Sequence, residues 1–343
     1  MDLKCCNPEI KKVHSQVLQN VSDRVSKAFD NFFRRVKDSK EKEKGYPRFK
    51  SKINSITYPQ LGFKFMNNKK LRISKMGNIP IVLHRAPKGN IKTMTIKVNK
   101  LGEWSAYFSC ETPEIEIKHS SDKFVGIDMG VESFAILSNG KQIENPKYLI
   151  KSEEKLKKLQ RKFSRKKLRS NNWRKAKFNL TGAHLKIANQ RADFLHKVSS
   201  KIANKYSFIA VENLSIKNMA KNHHLAKSIS DVSWGNFVKM LSYKAVKSGG
   251  MLIKVNPRNT SKTCSECGAI IEMPLSKREF NCLECGFVCH RDLNASLNIL
   301  GQGMSEFTPV GDHVRPELFR KNFTKSLKAK IYESGTICGE LLE

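Results

Sequence analysis

No run of eighteen apolar residues occurs in this sequence, and its first stretch, "MDLKCCNPEIKKVHSQV", has no apolar segment of the kind a secretory leader carries. A membrane-spanning or secreted protein is therefore not expected. Acidic residues are scarce: 31 Asp and Glu stand against 64 Lys and Arg, a net charge of +33. That excess is far beyond what solubility needs, and it points to a polyanionic partner. A disulfide framework is also missing, because Cys5, Cys6, Cys110 and Cys338 are scattered without regular spacing. A reducing, cytoplasmic setting is expected. Hydrophobic residues make up 39% of 343 residues, enough for the cores of two or three compact units.

From Val13 the apolar residues Val17, Val21, Val25, Phe29 and Phe32 recur every three or four positions, which predicts an amphipathic helix packed on one side. It stops in "RRVKDSKEKEKGYPRFKSK", where Gly45 and Pro47 break the helix and the mixed charges predict a basic loop. Between Ile53 and Pro113 the short runs "GFKFM", "LRIS", "IPIVLH", "KTMTIKV" and "WSAYFSC" are separated by turn sequences such as "MGN" and "PKGN". This is the pattern of a small antiparallel barrel or sheet. Next, "KFVGIDMGVESFAILSNGKQIE" gives two strand-like runs and a hairpin with Asn139-Gly140 at its turn. A basic helix is predicted from Lys151 to Lys177, with Leu156, Leu159 and Phe163 at helical spacing, and another through Ile187, Phe194, Leu195, Val198 and Ile202. The strands "SFIAVEN" and "MLIKVNPRNTS" follow, so strands and helices alternate as in an α/β fold. After Leu300 weak periodicity predicts no regular structure. No internal repeat is present beyond a pair of cysteine motifs.

Those motifs are "CSECG" at Cys264 to Gly268 and "CLECG" at Cys282 to Gly286. A Cys-x-x-Cys turn lets two thiolates reach one tetrahedral zinc at about 2.3 Å, and two turns complete the set. Cys264, Cys267, Cys282 and Cys285 are thus candidate ligands of one structural zinc with no open position. Gly268 and Gly286 stand where such a turn demands positive φ. Cys289 and His290 lie close in sequence and are read as packing residues.

Asp128 ends the apolar run "FVGID" and Glu212 ends "FIAVE". A carboxylate at the end of a buried strand is costly unless it meets a cation. Singly, each also fits an ordinary strand-end charge, and Asp292, opening "LNASLNIL", also fits an N-terminal cap. Together the three fit a site where two magnesium ions drive phosphodiester chemistry. Trp234 and Phe237 in "SWGNF" could stack on bases but have the spacing of core residues. His223-His224 in "KNHH" is expected on a mobile loop.

The motifs "VGIDMGVESFA", "KIANQRADFLHKVS", "IAVENLSIKNM", "SWGNF", "NPRNTSKTCSECG", "FNCLECG" and "HRDLNASLNIL" resemble, in order, those of the TnpB (OrfB) family of transposon-encoded RNA-guided nucleases, which is related to type V CRISPR effectors. The resemblance covers about residues 10 to 300. It implies an α/β fold: a RuvC-type RNase H-like core with an inserted zinc ribbon, a small β-barrel (wedge) domain and a helical recognition segment. It implies Asp128, Glu212 and Asp292 as catalytic, magnesium-holding acids and the four cysteines as zinc ligands. Its partners would be a guide RNA from the transposon end and a double-stranded DNA target beside a short transposon-associated motif. Base pairing would read the sequence while the protein holds the backbone.

The expected division is a recognition segment at 1–52, a wedge barrel at 53–119 and a nuclease core at 120–262 with a basic helical insertion at 149–205. A zinc ribbon at 263–288, a last core segment at 289–300 and a tail at 301–343 complete it. Arg48, Lys50 and Lys52 in "PRFKSK", with Arg161, Arg165 and Lys166 on the basic helix, are expected along the nucleic-acid channel, and Arg258 at the scissile phosphate. Family members usually begin with a further strand and helical segment, so this chain is expected to be a short form starting within the recognition lobe. The same fold could serve strand transfer, or guided binding without cutting; the complete acid set favours the nuclease.

Overall fold

The computed structural model describes residues 7–39, 41, 44–50, 52–67, 69–111, 119–219, 221–274 and 277–307. The chain divides into two units, Met1–Ile115 and Glu116–Glu343. No helix among the described residues is long and apolar enough to cross a membrane.

The first unit opens with a 3-10 turn, Pro8–Lys12, and helix α1, Ser15–Lys37. The His14 ring caps α1 by accepting from the Gln16 N–H at 3.3 Å. The expected helix is present, but its expected one-sided burial is not, because no residue of α1 is buried. Val17 packs partly onto the neighbouring core, whereas Val25 and Phe33 remain 51% and 54% exposed. The apolar stripe is longer than the small sheets can cover. Its distal rings, Phe29 and Phe32, pack instead on Tyr46, with centroids 5.6 and 5.1 Å away.

Six strands follow: β1 Ser55–Tyr58, β2 Phe63–Asn67, β3 Lys70–Ile73, β4 Gly77–Pro80, β5 Asn90–Val98 and β6 Trp104–Glu111. They form two antiparallel three-stranded sheets, β1-β5-β6 and β2-β3-β4, around Tyr58, Leu71, Ile73, Met94 and Ile96. The run "IPIVLH" is a strand only as far as Pro80, after which the Ile81 N–H makes one further bond, to Lys69 O at 2.9 Å.

The second unit is an α/β layer structure. Its sheet has the order β11-β10-β7-β8-β9, with β7 Phe124–Asp128, β8 Ser133–Leu137, β9 Gln142–Glu144, β10 Phe208–Glu212 and β11 Met251–Val255. β7, β10 and β11 run parallel, while β7-β8-β9 is an antiparallel meander whose second hairpin turns at Asn139-Gly140, as its sequence predicts. Helices α2, Tyr148–Ser164, and α3, Asn171–Lys205, connect β9 to β10. Between β10 and β11 come α4, Ile216–Met219, α5, His223–Val232, and α6, Trp234–Lys247. The main core lies on one face of the sheet, where Val125, Ile127, Ile209 and Val211 meet Leu195 and Ile202 of α3 and Phe237 and Leu241 of α6. The opposite face is covered by α7, Arg291–Phe307, through Ile299 and Leu300.

Three expectations fail in this unit. The basic helix predicted from Lys151 to Lys177 is two helices, broken at Arg165 to Ser170. Arg169 takes φ 65°, and the Ser170 hydroxyl accepts from the Trp173 N–H at 3.1 Å to start α3; that local cap outcompetes helix continuation. The segment after Leu300, expected to be irregular, continues as helix to Phe307 because Gly303 and Met304 pack on the sheet. The remainder of the expected tail, 308–343, lies outside the described residues. His223-His224 begins α5 rather than lying on a loop.

The basic α2 is anchored by Asp231 of α5. Its carboxylate accepts from the Leu149 N–H at 3.1 Å and from Arg191 Nε of α3 at 2.7 Å. A buried charge is thereby paired, and the exposed first-turn amide of α2 satisfied.

Candidate functional site

A cluster of four cysteines and a group of three carboxylates lie beside the N-terminal part of α7. The cysteine cluster is assembled from two turns of the same design. Cys264 N–H donates to Ala269 at 2.8 Å and Gly268 N–H to Cys264 at 3.0 Å; Cys282 N–H donates to Phe287 at 2.8 Å and Gly286 N–H to Cys282 at 2.9 Å. The glycines close both turns with φ 81° and 72°. Short strands β12, Glu279–Asn281, and β13, Val288–His290, pair beside the second turn. The four sulfur atoms lie within 4.8 Å of one another. Cys264–Cys285 and Cys267–Cys282 are 3.7 and 3.6 Å apart. A tetrahedron with bonds of about 2.3 Å has edges of about 3.8 Å, so this donor set fits one zinc ion. Cys289 instead packs against Phe280 in the small core beneath, where burial pushes its thiol up to about 12, and the His290 ring accepts from the Asp292 N–H at 3.3 Å.

The carboxylates converge through packing. In the parallel pair β7-β10, Val211 is level with Ile127, so Glu212 and Asp128 end adjacent strands one step further on. Alternation along a strand puts Asp128 on the face of Gly126, and Glu212 on the face of Ala210. That is the face α7 covers: a Cβ at Gly126 would stand 2.7 Å from Leu300 N and run into Ser296 O, and one at Gly303 would stand 2.6 Å from the Ala210 Cβ. Asp292 lies one turn before Ser296 on the same face of α7, which brings it to the strand ends.

The electrostatics match. Burial, followed by the nearby Glu212 and Asp292 charges, pushes the Asp128 carboxyl up to about 8, against partial relief from Arg291 and the Met129 N–H. Burial also raises Glu212, opposed by the Thr260 hydroxyl, which donates to Glu212 Oε1 at 2.5 Å. Asp292 faces Arg291 Nε at 3.4 Å and Arg278 at 3.7 Å; Arg278 also donates to Glu132 on the β7–β8 turn at 2.6 Å. A buried carboxyl disfavoured further by two neighbouring carboxylates favours a cation beside it, and these hard oxygen donors suit a divalent ion such as magnesium.

Thr260, Arg278 and Arg291 were not singled out in the sequence, nor were Asn294 and Asn298. Those asparagines join the clusters: Asn294 accepts from Ser265 N–H at 2.9 Å and donates to Thr263 O at 2.7 Å, and Asn298 donates to Thr260 O at 2.9 Å. Two amides four apart on one side of an otherwise largely apolar helix are the signal that could have found them. Asp292 lies in the first helical turn of α7 and is not its cap. Trp234 and Phe237 are core residues, 2% and 0% exposed. Arg258 is exposed after β11; Arg48, Lys50 and Lys52 of the first unit and Arg161, Arg165 and Lys166 of the second are likewise exposed.

With the geometry in place, the relatives become informative. A protein described as "Putative RNA-guided DNA endonuclease" from Streptomyces pristinaespiralis is 34% identical over 315 residues, covering 90% of this chain and 76% of the relative. The chain belongs to the TnpB (OrfB) family. A protein of the same description from Escherichia coli K12, InsQ, is 34% identical over 316 residues, covering 86% of this chain and 76% of its own length. Two family models match: OrfB_IS605, described as "Probable transposase", at residues 107–223, and the Cas12f1-like TNB domain at residues 234–299. The TnpB-family chain also aligns with a cryo-EM structure of a CRISPR-Cas12f ternary complex at 18% identity and TM-score 0.42, over 84% of this chain and 70% of the other.

Proposed function

We propose that the protein is an RNA-guided, magnesium-dependent DNA endonuclease of a transposable element. The observation that carries this reading is that Asp128 and Glu212 end adjacent parallel strands, with the Asp128 carboxyl raised to about 8 by burial and by the nearby Glu212 and Asp292 charges. In this reading the sheet with α7 is a RuvC-type RNase H-like core, the cysteine segment an inserted zinc ribbon, and the first unit a recognition helix with a wedge barrel. The division between Ile115 and Glu116 supports a wedge boundary near residue 119.

Asp128 and Glu212 would hold the metal between the strand ends, with Asp292 closing it from α7. Two magnesium ions, when bound, acidify the attacking water and neutralise the leaving oxygen of a phosphodiester. Thr260 fixes the Glu212 rotamer through its hydroxyl, and the close approach of α7 at Gly126 sets the reach of Asp292. The four thiolates would hold one structural zinc and tie the two cysteine turns together, while Asn294 and Asn298 fasten the 260–265 loop to α7.

The guide RNA would derive from the transposon end and pair with target DNA beside a short adjacent motif. A net charge of +33 suits a protein gripping a heteroduplex by its phosphates. Arg48, Lys50, Lys52, Arg161, Arg165 and Lys166 would contact that backbone, and Arg258 the scissile phosphate. Expressed with its transposon end and challenged with plasmids bearing the guide's target beside a randomised motif, the protein should cut only with magnesium, guide and Asp128 present. Guided binding without cutting would overturn the nuclease reading in favour of a DNA-binding role.

A further inference from the structure

A cavity of about 420 Å³ opens between α6 and the carboxyl ends of β10 and β11. One side is Glu212, shared with the carboxylate cluster; Leu214 and Ile216 line it with apolar atoms. The other side is a single face of α6, where Gly235, Lys239 and Tyr243 recur every four residues, faced by Lys254 on the edge strand β11. Gly235 keeps the space open: a Cβ there would come within 3.1 Å of Ile216 Cδ1. Lys239, Lys254 and Tyr243 are exposed, with no core to explain the ring of Tyr243, 49% exposed.

We propose that this cavity is a nucleotide subsite that grips an unpaired strand beside the carboxylates. The proposal rests on the nuclease reading of the acids. Lys239 and Lys254 supply positive charge for one or two phosphates, Tyr243 a ring on which a base stacks, and Leu214 and Ile216 an apolar surface for a sugar edge. Its volume falls within the roughly 300–1,000 Å³ range of small-ligand pockets, room for one or two nucleotides. Its position outside the carboxyl ends of parallel strands is where α/β sheets accept ligands. A strand lying in it is led directly to Glu212, so Lys239, Lys254 and Tyr243 are positioning residues for the phosphate to be cut.

The test uses the full chain carrying Asp128→Ala and a short single-stranded oligothymidylate containing 4-thiothymidine, irradiated without magnesium. An adduct on the α6 peptide containing Tyr243 is expected. Tyr243→Ala should reduce it about tenfold, and so should Gly235→Leu, which fills the space without changing charge. Lys239→Glu with Lys254→Glu should lower the adduct and reduce the salt dependence of oligothymidylate binding by about 1.4 in log–log slope, while Lys239→Arg with Lys254→Arg retains both. Adducts confined to other segments, or insensitive to Gly235→Leu and to the charge reversals, would overturn the subsite even if Asp128 proves essential for cutting. An adduct on α6 combined with cutting that survives Asp128→Ala would instead overturn the nuclease reading and leave the cavity as a nucleotide-binding site.

Discussion

The four sulfur ligands come from two turns between Cys264 and Cys285, whereas the three carboxylates come from residues as distant as Asp128 and Asp292, carried by two strands and a helix. Each cysteine turn is closed by its own backbone hydrogen bonds, so a single tertiary event, docking one turn on the other, assembles the set. The acids have no such local device. Their meeting depends on the parallel register of β7 with β10 and on α7 lying close enough to touch backbone at Gly126. One cluster is a property of a segment, and the other is a property of the whole layer packing. Damage to each should therefore spread differently.

The largest effect should follow from removing a carboxylate. Asp128→Ala or Glu212→Ala is expected to lower guided cutting about a thousandfold or more, while guide and target affinity, measured by filter binding, stay within a few-fold. Zinc removal should act locally in comparison. In Cys267→Ser, metal content should fall from one zinc per chain to none, with hydrogen-exchange protection lost across 263–290 and retained in β7 and β10. Unfolding of the whole sheet would show that the two clusters are one cooperative unit.

Gly126→Ala probes the packing that joins the acids. The new methyl cannot fit against Ser296 and Leu300, so α7 must shift; a loss of roughly 3 kcal/mol in denaturant melts is expected, with reduced cutting although no acid has changed. The same substitution at Gly45, whose Cβ would meet nothing within 4 Å, is the control.

The Asp128 carboxyl gives a smaller, pH-dependent signature. It titrates near 8 in the folded chain against an ordinary 3.8, so its neutral form is favoured by folding. That contribution is fully present below about pH 4 and is lost as pH rises to about 8. Without added divalent cation, melting temperature should decline across that window, and Asp128→Asn should flatten the decline. An unchanged slope would mean that the carboxylates are better solvated than their burial indicates. Smallest of all, Thr260→Val should free the Glu212 carboxylate and cost about 1 kcal/mol, a roughly fivefold loss in cutting.

The cysteine turns were readable because their spacing is itself the geometry: two residues between thiols and a glycine after them. Asp128 and Glu212 were readable as carboxylates closing apolar runs, since a charge at the end of a buried strand calls for a reason. Thr260 carried no such mark, being one hydroxyl in a loop of several, and Arg278 is one cation among 64. The break between α2 and α3 was hidden by lysines and arginines, which suit a helix and a solvated turn equally well. The stripe on α1 shows the converse: periodicity correctly predicted a helix, but whether a partner surface covers that stripe is not encoded in the helix.

The sequence by itself determined the class of elements, the cysteine set and the chemical character of the strand ends, because these depend on interactions between residues a few positions apart. Which carboxylates meet, which arginine approaches Asp292, and where a cavity remains beside Glu212 were decided only by tertiary structure. Those outcomes depend on interstrand register and on how closely α7 and α6 approach the sheet, distances set by side chains far apart in the chain.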